Sequence, residues 1–306
     1  MSDIKLFRYG QKNAEELAGK AVLIEKQLQT LIETHMETLL GIRFLATEYS
    51  TGKTHRGRID SLGLDENGCP VIIEYKRHTN ENVINQGLFY LDWLLDHQAE
   101  FRWLVMEKLG KEFADKIEWS GTRLLCIAAD FTKYDGHAVA QINRNIELIR
   151  YKLFDPDLLL LELVNAVSVE ETLTVDTNDD GARVKSEGKT HAEQILLASP
   201  ALLALFEQVK SFIHAQGDDI QEKSLKLYTA FKRLRNFACA VVIPKQDPHL
   251  RLWLKIDPDS LALEEGFSRD VRSIGHWGTG DLEVVIRTVA DFEKACPLIE
   301  RSYQEN

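Results

Sequence analysis

Residues 57–76, GRIDSLGLDENGCPVIIEYK, hold two β-segments around a turn, and their charges limit how the segments can pair. Val71, Ile72 and Ile73 read as the middle of a buried strand that runs on into Glu74 and Lys76. Alternate side chains of a strand share a face, so Glu74 and Lys76 lie on the Ile72 side. A two-residue Asn67-Gly68 turn would set Asp60 opposite Tyr75 and send Asp60 and Glu74 to opposite faces. A three-residue loop, Glu66-Asn67-Gly68, pairs Asp65 with Cys69 and Asp60 with Glu74. That loop wants Asp first and glycine in the left-handed position, and Asp65 and Gly68 supply both. Asp60, Glu74 and Lys76 are therefore expected on one face of one hairpin.

Two carboxylates this close repel each other. At ~4 Å and an effective dielectric of ~20 the repulsion is about 4 kcal/mol. A hard divalent cation cancels it, and Mg²⁺ takes such oxygen ligands while keeping several waters. A cation there can acidify a water and neutralise a phosphate oxygen. Lys76 would stand where negative charge develops on a phosphodiester, or beside the attacking water.

Around this hairpin the first part reads helix–strand–strand–strand–helix–strand. Apolar positions from Ile24 to Leu40 recur at helical spacing, and Gly41 ends that helix over 21–40. IRFLATEYS is a strand, and residues 80–97 are a second helix with Asn80 as N-cap and Ile84, Leu88, Leu91 and Leu95 as its core stripe. RLLCIAAD at 123–130 is a buried strand, a helix is expected over 138–146, and IELIRYKLF and DLLLLELV are strands. Polar residues 176–189, within a boundary region at 171–190, read as a linker between a domain at 1–170 and one at 191–306. The second domain offers a helix at ALLALFEQVKSFI and then LKLYTAFKRLR. Strands follow at ACAVVIP, RLWLKI and LEVVIRT, and a closing helix ends it, making a small α+β unit.

Asp60, thirteen residues and then Glu74-Tyr75-Lys76 resembles the PD-(D/E)XK nuclease superfamily, and its RecB- and NucS-like endonucleases in particular. Gly57-Arg58-Ile59-Asp60 resembles the G-x-x-D of that group, and Gln86 to Tyr90 resembles its Q-x-x-x-Y. The likeness covers roughly 20–165. It implies an α/β fold, an αβββαβ restriction-endonuclease-like core with a separate small α+β C-terminal domain. That second domain resembles an uncharacterised one often found behind such nucleases. The resemblance also implies hydrolysis of phosphodiester bonds, in DNA before RNA, with Mg²⁺ or Mn²⁺ on Asp60 and Glu74. Lys76 would orient water or steady the transition state, and Gln86 and Tyr90 would position nucleophile or substrate. Ile59 stands where the family often has proline. A helix-one glutamate is expected too. Glu33 and Glu37 lie off the apolar stripe and Glu48 is on the next strand, with Glu33 favoured by the family pattern. DNA repair or defence against foreign DNA are the settings implied. The rival class is a binding protein that uses the same fold without cleavage, on nucleic acid or a partner.

The other features weigh less. Net charge is −11, which speaks against nonspecific coating of nucleic acid. Lys53, His55, Arg56 and Arg58, and then Lys76, Arg77 and His78, are read first as solvated charge and second as nucleic-acid contacts. Lys223, Lys226, Lys232, Arg233 and Arg235, with Tyr228 and Phe231 between, could grip a backbone or form a solvated helix face. Trp93 and His97 extend the Gln86–Tyr90 face but are read as core rim. HWGTGD at 276–281 is read as a tight turn before a strand, ahead of a stacking site. Four scattered cysteines without CxxC, and histidines without HxxxH, point away from disulfides and zinc. No apolar run approaches a membrane span, and the N-terminus lacks a secretory pattern. The expectation is a cytoplasmic protein that binds DNA and no membrane, with a homodimer compatible.

Overall fold

The computed structural model describes residues 4–10, 13–20, 24–52, 56–76, 83–155, 157–167 and 190–306. The chain divides into two compact units, Met1–Val169 and Glu170–Asn306. The linker expected at 176–189, Asn80, Lys53, His55, Arg77 and His78 lie outside the described residues.

The first unit opens with short strands β1 (Leu6–Tyr9), β2 (Ala14–Leu17) and β3 (Gly19–Lys20). Helices α1 (Glu25–Thr34) and α2 (Met36–Leu40) follow, then strands β4 (Ile42–Ser50), β5 (Arg58–Asp65) and β6 (Pro70–Lys76). Next come α3 (Val83–Asp96), α4 (Gln98–Leu109), α5 (Lys111–Asp115), β7 (Arg123–Ala128), α6 (Lys133–Ala140), β8 (Asn145–Phe154) and β9 (Leu158–Val167). The long strands form one sheet in the order β4-β5-β6-β7-β8-β9. β4, β5 and β6 are antiparallel neighbours, and β6, β7 and β8 run parallel. Helix α3 supplies the crossover that parallel β6 and β7 require.

The expected first helix is broken at His35, and Gly41 at φ 66° stops its second piece. Leu28, Ile32 and Met36 are buried on the sheet face that carries Val71, Ile73 and Tyr75. On the other face α3 packs with Leu62, Leu64, Ile72, Leu124 and Cys126 in a single core. Its inward face differs from the expected stripe. Val83, Ile84, Gly87, Tyr90, Leu91, Trp93 and Leu94 are buried, while Leu88 and Leu95 are only partly so. Gly87 sets this rotation, because a methyl group there would lie 2.5 Å from Leu124. Burying Leu91, Trp93 and Leu94 stabilises the packing by about 1.5–3 kcal/mol each.

Two helical expectations are corrected. The helix expected at 138–146 starts earlier, where the Thr132 and Asp135 side chains cap it reciprocally, and Asn145 onward is strand β8. Residues 98–115, to which no helix was assigned, form α4 and α5. Arg123, buried at the start of β7, pairs with Asp65 and with Glu147 at 3.1 Å, tying the hairpin turn to the parallel strands.

The second unit comprises α7 (His191–Leu196), α8 (Pro200–His214), β10 (Gln221–Ser224), β11 (Thr229–Lys232), β12 (Asn236–Ile243) and β13 (His249–Leu254). It closes with β14 (Ser268–Asp270), β15 (Leu282–Ile286) and α9 (Val289–Glu305). Its sheet is antiparallel in the order β10-β11-β12-β13-β15-β14, and α8 and α9 share a core with it. The basic segment 223–235 is therefore hairpin, not helix. Tyr228 and Phe231 are buried, Lys232 is buried, and Arg233 pairs with Asp219 at 2.6 Å and lies over the Tyr303 ring. Those aromatics serve the core and offer no bases a stack, so the proposed backbone grip by Lys226, Lys232 and Arg233 loses its interleaved rings. In the HWGTGD turn, Gly278 and Gly280 sit where a side chain would strike Trp253 and the Leu254 backbone. Close packing explains those glycines.

Candidate active site

The β5–β6 turn forms by local chemistry. Asp65 N donates to Cys69 O and Gly68 N to Asp65 O, both at 3.0 Å, and Gly68 takes φ 76°. The Asp65 carboxylate accepts from the Asn67 and Cys69 backbone at 2.8 Å each. Register follows, with Leu64 opposite Pro70 and Ser61 opposite Ile73. One step further Asp60 stands level with Glu74.

At that level the strands part. β6 continues beside β7, pairing Glu74 with Cys126 and Lys76 with Ala128, while β5 stays with β4. The fork would strand two backbone N–H groups, and the two carboxylates take them. Asp60 N donates to Glu74 Oε1 at 3.2 Å, and Tyr75 N donates to Asp60 Oδ2 at 3.0 Å. These reciprocal bonds aim both carboxylates into the fork. Lys76, 15% exposed at its side chain, reaches Glu25 Oε2 at 3.8 Å and is felt electrostatically by both Asp60 and Glu74.

Burial, and then the charge of Asp60, pushes the Glu74 carboxyl up to about 9. Burial raises Asp60 as well, against the Tyr75 N–H bond and Lys76. Glu74 is fully buried, and among the described residues its Oε2 finds no hydrogen-bond partner. A buried acceptor without a partner costs about 1–3 kcal/mol. A hard divalent cation meets both needs: it supplies Oε2 with a partner and the two carboxylates with a counter-charge, so the donor set fits such an ion. Among the described residues no three His, Cys, Asp or Glu side chains converge as a ready cage. Water and substrate oxygens would complete the shell, in keeping with Mg²⁺ chemistry.

Beside the fork lies an open cavity of about 620 Å³, lined by Glu48, Ser50, Arg56, Gly57, Arg58, Asp60, Gln86 and Tyr90. Gln86 Nε2 and Arg58 N both donate to Tyr90 Oη at 3.2 Å. A methyl group at Gly57 would lie 2.4 Å from the Tyr90 ring. The glycine before Asp60 and the tyrosine after Gln86 are thus one contact: the small residue lets the ring close the cavity floor. Trp93 is buried and stacks on His97 at 4.7 Å, a core-rim position.

The structure sorts the remaining candidates. Glu33 does not line the cavity. Its carboxylate accepts from Ser61 Oγ at 2.6 Å and Gln29 Nε2 at 2.9 Å, on the sheet face that α1 covers. Strand parity explains this, since Ser61 points opposite to Asp60. Glu48 lines the cavity instead, level with Asp60 on β4, and its charge raises the Asp60 carboxyl. Arg58 is on the rim, paired with Glu48 at 3.1 Å. Lys226, Lys232 and Arg233 belong to the other unit. Sequence reasoning missed Lys26, which contacts Glu48 at 3.4 Å across 22 residues, and no local pattern signals that contact.

Residues 192–306 match the family model "Domain of unknown function (DUF5655)". An uncharacterised protein of Haemophilus influenzae is 28% identical across 99% of this chain and 100% of its own length. Among solved structures, a repair endonuclease from Pyrococcus abyssi is 19% identical, with a TM-score of 0.29, over 44% of this chain and 49% of its own. The EndoMS–dsDNA2 complex gives 22% identity and a TM-score of 0.26, over 47% and 49%. The chain spans about half the length of either solved structure. Among the described residues no helix is long and apolar enough to cross a membrane.

Proposed function

We propose that this chain is a divalent-cation-dependent endonuclease of the PD-(D/E)XK type, acting on DNA through the fork of β5 and β6. The observation that supports it best is the pair of reciprocal bonds between Asp60 and Glu74, with Glu74 Oε2 left over and Lys76 one strand repeat away. A structural ion pair would satisfy those oxygens. This arrangement instead holds two acids together at an energetic cost.

Asp60 and Glu74 would hold Mg²⁺ or Mn²⁺. When bound, the ion supplies Lewis-acid neutralisation of a phosphate oxygen and lowers the pKa of a water. The chain's own groups do the rest. The Lys76 ammonium holds positive charge where the phosphodiester gains negative charge, or fixes the attacking water. Tyr90 Oη and Gln86 line the cavity wall beside Asp60 and position the substrate. Packing of α3 against the sheet keeps that wall rigid, and positional accuracy is itself a large part of the rate. The second unit would select substrate, partner or signal.

The test uses purified protein with single-stranded DNA, duplex DNA and RNA, each with Mg²⁺, Mn²⁺ or EDTA, beside Lys76→Ala. Cutting that needs the metal and falls at least about 100-fold in the variant is the expected result. Binding without cutting under either metal would mean that the fold serves recognition alone. Cutting restricted to RNA would replace the substrate.

A further inference from the structure

At the edge of the cavity, where Glu48 and Arg58 line it, stands an ion cluster that metal chemistry at Asp60 and Glu74 does not use. Glu48 Oε2 lies 3.1 Å from Arg58 Nε, and Glu48 Oε1 lies 3.4 Å from Lys26 Nζ. Each carboxylate oxygen thus holds one cation, and Lys26 also reaches Gln29 Oε1 at 3.1 Å. The three side chains are accessible, at 32%, 70% and 59% for Glu48, Arg58 and Lys26. An exposed ion pair of this kind contributes only about 0–1 kcal/mol. Yet the backbone that carries Glu48 is strained. Glu48 takes φ 49° inside strand β4, a left-handed conformation uncommon outside glycine, and Arg56 across the cavity does the same. The ladder skips Glu48, pairing Thr47 with Ser61 and Tyr49 with Ile59 on either side. Strain kept for so little stability marks functional positions more often than structural ones.

We propose that Lys26 and Arg58 form a clamp for a nucleic-acid backbone phosphate beside the two-carboxylate centre, and that Glu48 closes it in the free protein. The clamp rests on the reading of nucleic acid as substrate. A phosphodiester offers two unesterified oxygens that share one charge, as a carboxylate does, and so can take over both cations in turn. Arg58 sits two residues before Asp60 and its N–H is fixed by Tyr90 Oη, so the clamp has a set distance from the proposed metal site. Glu48 then tunes affinity. It keeps the two cations from trapping unrelated anions and yields only to a backbone that also gains contacts elsewhere in the cavity.

The experiment measures binding of fluorescein-labelled single-stranded and duplex DNA by anisotropy in EDTA, where no cutting occurs, at several salt concentrations. Glu48→Gln keeps the side-chain shape and removes the charge. It should bind about five-fold tighter at low salt, with a steeper loss of affinity as salt rises. Adding Lys26→Ala or Arg58→Ala to Glu48→Gln should erase most of that gain, and either alanine alone should weaken binding by the unmodified protein about three-fold or more at low salt, with a shallower salt dependence. Equal or weaker binding by Glu48→Gln, or a gain that survives both alanine changes, would overturn the clamp. If the unmodified protein still cuts DNA with metal in that case, the nuclease reading stands without the clamp. If no form binds nucleic acid, both fall together.

Discussion

Asp60→Asn should lower metal-dependent cleavage by about 100- to 1,000-fold, with the fold intact. The asparagine keeps an oxygen for the Tyr75 N–H and so preserves the fork at 3.0 Å. It removes one of two negative charges that would hold the cation, and a single well-placed electrostatic partner is commonly worth about 10²–10³ in rate. The effect should appear in kcat more than in KM, because Asp60 contributes little to holding the distant parts of a substrate. The measurement is single-turnover cleavage at saturating Mn²⁺, with circular dichroism as the control for folding. A loss below about ten-fold would remove Asp60 from the metal site.

Glu74→Gln should raise the stability of the metal-free protein while also ending cleavage. In the metal-free protein the Glu74 carboxyl is pushed up to about 9 by burial and by Asp60, against 4.5 for the free side chain. The folded state therefore binds the proton more tightly than the unfolded state. Between pH 4.5 and about 9 the folded state carries more protons, so stability falls as pH rises through that window. Asp60 is raised too and adds in the same direction. Glutamine has no proton to lose and keeps the Oε1 acceptor for Asp60 N. At pH 7 to 8, without metal, the variant should be more stable by about 1–3 kcal/mol, a rise of several degrees in the melting temperature. The gain should vanish near pH 4.5. Added Mn²⁺ should stabilise the unmodified protein and leave Glu74→Gln nearly unchanged, since only a ligand that prefers the folded state raises its stability. A variant less stable than the parent at pH 8 would contradict the account of the buried acid.

The parts of this site legible in the sequence were those fixed within a few residues. The Asp65–Gly68 turn sets strand parity through its own side chain and one left-handed glycine, so Asp60 opposite Glu74 could be worked out from spacing. Gln86 and Tyr90, four apart on a helix, share a face for the same reason. What failed were inferences that needed tertiary information. Which helix-one acid nears Asp60 depends on how α1 crosses the sheet, and it sends Glu33 to Ser61. The rotation of α3 follows from Gly87 resting on Leu124, a contact 37 residues apart. Residues 98–109 form a helix with Phe101, Leu104 and Val105 buried and Trp103 and Met106 exposed, so no single stripe announces it. In 223–235 the eye follows the charges, whereas the fold buries the whole strand Thr229–Lys232, Lys232 included, on both of its faces.

Crystals of the protein soaked in Mn²⁺ and measured at a wavelength that reveals manganese would test the central claim most directly. The account predicts a manganese peak bound by oxygens of both Asp60 and Glu74, within reach of Lys76, and lost in Asp60→Asn. Manganese held elsewhere, or a peak unchanged when Asp60 is replaced, would contradict it.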